Sequence, residues 1–102
     1  MIHVIAIITA KPGQREAILA AFRANVPAVH AEEGCIEYTP VIDVADAGPT
    51  QAKLGEDSFM VVEKWESAAA LAAHAASPHM AAYGAKVKDM LASRTIHILS
   101  PA

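Results

Sequence analysis

The spacing of apolar residues divides the chain into predicted strands and helices. Ile2 to Ala10 is a nearly continuous apolar run rich in β-branched residues, and Lys11-Pro12-Gly13 follows it. We therefore predict a buried strand and a turn. Side chains alternate between the two faces of a strand. Because both faces of this strand are apolar, we expect both to be covered.

The apolar spacing then changes from that of a strand to that of a helix. Between Gln14 and Glu33 apolar residues recur every three or four positions, which predicts a helix. Gly34 is a typical helix stop. Cys35 to Val44 is the second predicted strand. Asp46 to Ser58 contains glycine, proline and polar residues, so we predict a loop there.

The second half of the chain is predicted to form a strand, two helices and a last strand. Phe59 to Trp65 is rich in β-branched and aromatic residues, as strands are. Ser67 is a candidate N-cap for an alanine-rich helix. Ser77 is a candidate N-cap for a second helix, from Pro78 to about Leu91, with proline at the first helical position. Thr95 to Leu99 is the last predicted strand.

This order of elements predicts one α+β domain over residues 1–102. Strand, helix, strand, strand, helix, strand is the ferredoxin-like β-α-β-β-α-β pattern, with the helices on one face of an antiparallel sheet. The other face must be polar or must meet a partner. It is apolar on at least the first and third strands, so a second copy of the chain is its simplest cover. We therefore expect a homodimer.

Composition and charge narrow the class of protein. The hydrophobic fraction of 54% is high for a small monomer and favours an interface. The net charge of −3 is scattered along the chain, which argues against a nucleic-acid partner. The single cysteine, Cys35, cannot form an intrachain disulfide. No apolar run approaches the roughly 20 residues of a membrane span, and a basic leader is missing. We expect a cytoplasmic protein without a membrane partner.

The segment from the third strand to the last helix contains the candidate catalytic residues. His79 lies in the first turn of a predicted helix, where the helix dipole favours the neutral imidazole that a general base needs. A histidine that only bonds to its neighbours is the alternative. His74 and Glu63 are further candidates, although Glu63 could instead form a cross-strand ion pair.

Aromatic residues in the same region are candidates for a substrate pocket. Trp65 and Tyr38 could line it, although such residues are more often part of the core. Tyr83 lies four residues after His79, on the same side of the helix. The sequence has no paired cysteines, no His-x-x-x-His and no glycine-rich phosphate loop, so we predict no metal site and no nucleotide cofactor.

Five segments, in this order along nearly the whole chain, resemble the antibiotic biosynthesis monooxygenase family, and within it the small quinol monooxygenases. They are Lys11-Pro-Gly-Gln, Glu32-Glu-Gly-Cys-Ile-Glu-Tyr38, Glu63-Lys-Trp-Glu-Ser, Leu-Ala-Ala-His74 and Ser-Pro-His-Met80. The resemblance implies a homodimer of ferredoxin-like subunits whose sheets pack into a dimeric α+β barrel. It also implies oxygenation of quinols or polycyclic phenols by dioxygen without a metal, flavin or haem.

We therefore expect a cofactor-independent monooxygenase or quinol oxidase whose partners are itself, a small aromatic substrate and dioxygen. His79 would take the hydroxyl proton, with Glu63 and His74 tuning or orienting the site. Four residues would surround the aromatic ring: Trp65, Tyr38, Tyr83 and Met80. Two alternatives stay open. One is an isomerase that acts on a small hydroxy-ketone, and the other is a non-catalytic dimer that binds a small aromatic ligand.

Overall fold

The computed structural model describes every residue from Met1 to Ala102, and its elements form one sheet and one layer of helices. In chain order they are β1 (Ile2–Ala10), α1 (Arg15–His30), β2 (Cys35–Val41), β3 (Ser58–Trp65), α2 (Ala68–Ala75), α3 (Pro78–Val87), a 3-10 turn (Lys88–Met90) and β4 (Leu91–Leu99). The predicted α+β, ferredoxin-like order is confirmed.

The four strands form a single antiparallel sheet in the order β2-β3-β1-β4. β1 lies between β3 and β4, with Ala6 opposite Val61 on one side and Ile96 on the other. This central position agrees with the apolar character of both faces of β1.

The helices cover one face of the sheet and form the core with it. Every second residue of β1 from Val4 to Ala10 is buried, as is every second residue of β3 from Phe59 to Trp65. Helix α1 contributes Ile18, Phe22 and Val29 to the same cluster. Burial of these apolar side chains is the main force that holds the helices on the sheet.

The opposite face, called here the open face, remains partly exposed. It contains four large apolar residues of the two central strands: Ile5, Ile7, Met60 and Val62. The Cα positions extend only 20 Å along the shortest axis, which is the thickness of one sheet and one helix layer. No helix is both long and apolar enough to cross a membrane.

Four predicted boundaries were wrong. Helix α1 ends at His30 and not at Glu33, because the chain turns at Gly34, where φ is positive. β2 ends at Val41 and not at Val44, because the chain turns where both carboxylate oxygens of Asp43 accept backbone N–H groups, from Leu54 and Gly55 at 2.9 Å each. Helix α3 ends at Val87 rather than near Leu91, and β4 begins at Leu91 rather than Thr95. β4 pairs with β1 from His3 to Ala10, so the strand begins before the β-branched residues from which it was predicted.

Candidate functional site

Two histidines converge on one carboxylate where the two helical segments after β3 meet. Glu32 Oε2 lies 2.8 Å from His74 Nδ1 and 3.0 Å from His79 Nε2. His74, near the end of α2, is buried, whereas His79, in the first turn of α3, is partly exposed. We call these three residues the Glu32 cluster.

The turn after α1 places Glu32 in this position. Helix α1 ends at His30, and Gly34 adopts a positive φ of 84°, which glycine adopts freely and other residues rarely adopt. The Gly34 carbonyl accepts the Glu66 backbone N–H at 2.9 Å, which ties the turn to the end of β3. The Glu32 carboxylate therefore lies beside the first turn of α3, where the helix dipole favours a negative charge.

Ser77 determines which nitrogen of His79 holds the proton. Its Oγ donates to the His74 carbonyl at 2.8 Å, so it can only accept from His79 Nε2, 3.2 Å away. The other neighbour of Nε2 is the Glu32 carboxylate, which is also an acceptor. Neutral His79 therefore holds its proton on Nε2, and the free electron pair is on Nδ1.

Two aromatic rings hold His74 in place. Its ring centroid lies 4.6 Å from that of Trp65 and 5.4 Å from that of Tyr38. Trp65 is fully buried and Tyr38 nearly so. The structure therefore places both rings beside His74, in the core, and not on the wall of an open cavity.

Glu63 faces the core next to Trp65, whose Nε1–H donates to Glu63 Oε1 at 3.0 Å. Burial raises the pKa of this carboxyl group, against the opposing effects of the Trp65 hydrogen bond and the charge of His74. The cross-strand ion pair considered for Glu63 is absent; Lys64 pairs instead with Glu37 at 3.2 Å. The carboxylate that contacts the histidines is Glu32, not Glu63.

A cavity of about 210 Å³ opens between α1 and α3, and His79 and Tyr83 both line it. The remaining lining residues are Ala21, Ala24, Asn25, Ala82 and Lys86. A larger cavity of about 380 Å³ lies beside the loop that follows β2 and contains no histidine. The smaller cavity is therefore the one of these two that a histidine lines.

Met80 lies between the cavity and the core. Its sulfur accepts the Asn25 amide at 3.4 Å and the Tyr38 hydroxyl at 4.0 Å. Tyr83 packs edge-on against Phe22, with ring centroids 6.0 Å apart. These contacts position the side chains on one wall of the cavity.

Three other groups near the site hold their protons at neutral pH. Burial raises the pKa of Tyr83 to about 12 and raises that of Tyr38 further. Burial, and then the charges of Glu32 and Glu63, raise the pKa of the Cys35 thiol. None of the three can serve as a base at neutral pH, which leaves the histidines and the carboxylates.

The predicted residues thus separate into two sets. His79 and Tyr83 line the cavity, whereas His74, Glu63, Trp65, Tyr38 and Met80 form its support. Glu32 and Asn25 were missed. In this fold the end of α1 lies near the start of the helices after β3, and that topology was the available signal for Glu32.

The chain also matches known proteins. Residues 1–86 match the sequence profile of the family described as antibiotic biosynthesis monooxygenase. The chain is 45% identical over 103 residues to "Probable quinol monooxygenase YgiN" of Escherichia coli K12, with 99% of this chain and 98% of that protein covered.

Two solved structures have the same fold. PA3566 from Pseudomonas aeruginosa superposes with a TM-score of 0.81 at 30% identity, covering 99% of this chain and 93% of that one. Rv0793 from Mycobacterium tuberculosis superposes with a TM-score of 0.80 at 28% identity, covering 99% of this chain and 94% of that one. The similarity in sequence and in structure extends over nearly the entire chain.

Proposed function

Because the chain belongs to the antibiotic biosynthesis monooxygenase family, we propose that it oxidises an electron-rich phenol or quinol to a quinone with dioxygen and without a cofactor. One observation carries this proposal. His79 lines a cavity while its Nε2 faces two acceptors, Glu32 and Ser77, so the free electron pair of Nδ1 is available as a base.

The first step is removal of a hydroxyl proton from the substrate. Nδ1 of His79 accepts the proton, and the Glu32 carboxylate stabilises the imidazolium that forms. This pairing of a base with an orienting carboxylate is common in enzymes that use histidine for general-base catalysis. The phenolate that remains is a much stronger electron donor than the phenol.

Dioxygen then takes electrons from the bound anion. For a phenol, one electron passes to dioxygen, and the phenoxyl radical and superoxide combine to form a carbon–oxygen bond. Uptake of a proton and loss of water then leave the quinone. For a quinol, two electrons and two protons pass to dioxygen and give the quinone and hydrogen peroxide. Neither route needs an electron source other than the substrate.

The supporting residues orient the reacting groups. His74, held between Trp65 and Tyr38, fixes Glu32 from the side away from the cavity. Tyr83 lines the cavity and keeps its hydroxyl proton at neutral pH, and Met80 is an adaptable apolar neighbour. The cavity is smaller than the about 300–1,000 Å³ of drug-sized sites, so we propose a substrate of one or two fused rings.

Oxygen consumption on addition of a reduced naphthoquinol tests the proposal. We expect uptake above the rate of autoxidation, with quinone formed in a one-to-one ratio to oxygen. Measuring peroxide separates the oxidase route from the monooxygenase route. Binding of the quinol without oxygen uptake would favour a ligand-binding dimer. Oxygen-independent proton exchange on a small hydroxy-ketone would favour an isomerase.

A further inference from the structure

We propose that Glu32, His74 and His79 form a binding site for Zn²⁺, and that a bound ion switches the proposed base off. The three donor atoms, one from each residue, all lie within 4.8 Å of one another. They are two imidazole nitrogens and one carboxylate oxygen, a ligand set that is typical of zinc sites with three protein ligands and an open fourth position.

Two of the three distances between these donors are close to those that the ion requires, and the third, between the two imidazole nitrogens, is at most 4.8 Å. Zinc binds nitrogen and oxygen at about 2.0–2.2 Å, which places tetrahedral donors about 3.4 Å apart. Glu32 Oε2 is 2.8 Å from His74 Nδ1 and 3.0 Å from His79 Nε2. Small side-chain movements would open the cluster enough to admit an ion in place of the two hydrogen bonds.

The environment of the cluster favours a transition metal over magnesium or calcium. Two of the three donors are imidazole nitrogens, whereas Mg²⁺ and Ca²⁺ select sets of oxygen ligands. The side chains of His74 and Glu32 are only 7% and 14% exposed, and the rings around His74 limit its rotation. His79 is 29% exposed, so an ion can enter from the cavity side.

Occupancy of this site would reverse the tautomer of His79. In the metal-free cluster Nε2 holds the proton and Nδ1 has the free electron pair. Zinc must take the electron pair of Nε2, and the neutral ring then holds its proton on Nδ1. That nitrogen can no longer accept a proton from a substrate. The inhibitory effect rests on the proposed function, whereas the binding of zinc does not.

Calorimetric titration of the EDTA-treated, dialysed protein with Zn²⁺ alone tests the site. We expect one ion per chain for the wild type. Glu32→Gln, which keeps the shape of the side chain but removes the anionic ligand, should weaken binding by at least ~10-fold, since loss even of an outer-shell partner costs ~10–100-fold. Glu33→Gln removes the same charge from an exposed neighbour and should bind as the wild type does.

Co²⁺ gives a second readout, because tetrahedral coordination produces strong visible absorption bands. These bands should form with the wild type and Glu33→Gln, and should be lost with His79→Asn. Absence of Zn²⁺ binding by the wild type would overturn the proposal. So would equal affinity of the wild type and Glu32→Gln.

Oxygen-uptake assays separate the two proposals. Zn²⁺ at saturation should suppress quinol-dependent uptake, and EDTA should restore it. Zinc binding to a protein that shows no uptake at all would refute the proposed function and leave the site intact. Zinc binding without any loss of uptake, or with a gain, would refute the switch.

Discussion

A single carboxylate oxygen organises the candidate site at the scale of residues. Glu32 Oε2 accepts from two imidazoles that lie 42 and 47 residues further along the chain. Since Ser77 and Glu32 both accept from Nε2 of His79, the orientation and tautomer of that ring follow from its contacts. His74 reaches the same oxygen from a buried position and shares no surface with the cavity.

Replacement of His79 separates a catalytic role from a structural one. We predict that His79→Ala remains folded, because Ser77 and Pro78 still begin helix α3. Quinol-dependent oxygen uptake per folded molecule should fall by ~10²–10⁴-fold, the usual contribution of a general base. Thermal melting and an oxygen electrode give the two measurements.

His30→Ala is the matched control, since that exposed histidine lies outside the cavity lining and its one hydrogen bond is to the Tyr38 carbonyl, at 3.3 Å. It should retain full turnover. If His79→Ala melts at a lower temperature and keeps its turnover, the side chain is structural and another group must be the base.

Glu63 should make stability depend on pH. Burial raises the pKa of Glu63 in the folded protein above that of an ordinary glutamate. At pH values between these two pKa values, the folded protein binds more protons than the unfolded chain. The contribution of Glu63 to stability is fully present below its pKa in the unfolded chain. It is lost as the pH rises through its pKa in the folded protein. Glutamine cannot ionise and can still accept from Trp65.

We therefore predict that Glu63→Gln gains stability relative to the wild type as the pH is raised from 4 to 7. Melting temperatures across that range measure the difference, and Glu33→Gln controls for the removal of one charge. A difference that stays constant over the range would mean that Glu63 does not titrate there.

Part of this site could be predicted from sequence because its residues are near one another in the chain. His74, Ser77 and His79 share one helical joint, whose capping residues the sequence identifies. Glu32 belongs to another helix, and only the folded turn at Gly34 brings it near. Tyr38 and Trp65 were recognised as aromatic, but a strand pattern does not say whether a ring lies in the core or on a cavity wall.

The turn between α1 and β2 is the critical connection at the scale of elements. An added Cβ at Gly34 would lie 2.6 Å from the Cβ of Ala70 on α2. Gly13 has a similar φ, +77° against +84°, but no atom lies within 4 Å of its added Cβ. A comparison of alanine substitutions at the two glycines therefore distinguishes the cost of backbone strain from the cost of steric overlap.

We predict that Gly34→Ala destabilises the protein by clearly more than Gly13→Ala, which should cost about 1–2 kcal/mol from its left-handed backbone alone. Urea unfolding of both variants measures the difference. Ala70→Gly removes the opposing methyl group, so in the double variant it should recover part of the loss at Gly34. Equal losses at the two glycines, with no recovery, would show that α2 does not restrict the turn.

The sequence predicted the elements better than it predicted their ends. Ser67 and Ser77 cap α2 and α3 as predicted, since their Oγ atoms accept from Ala70 and Met80. Local chemistry determines such caps. The start of β4 depends instead on the hydrogen bonds that β1 offers, and Leu91 pairs with Ala10 across a bulge that no local pattern shows.

At the scale of the whole molecule, many of the apolar residues lie outside the buried core. Only 17 of 102 residues are buried, although 54% of the sequence is hydrophobic. The open face is one apolar surface, and Leu99 at the end of β4, opposite His3, extends it and is 45% exposed. Ile96 and Ile98 lie on the other face of β4 and are 48% and 64% exposed. An unpaired, apolar edge strand is a common site of association between chains.

We predict that the protein is a homodimer at micromolar concentration, with the open face buried between the two copies. Light scattering should give twice the 10.7 kDa of one chain. Val62→Lys places a charge on the open face, between Ile5 and Thr39 on the neighbouring strands, and should shift the mass towards that of a monomer, because an unpaired charge is costly to bury. Ala85→Lys adds the same charge to an exposed position of α3 and should remain dimeric. A wild-type mass of one chain would rule out the dimer, and with it the barrel formed by two sheets.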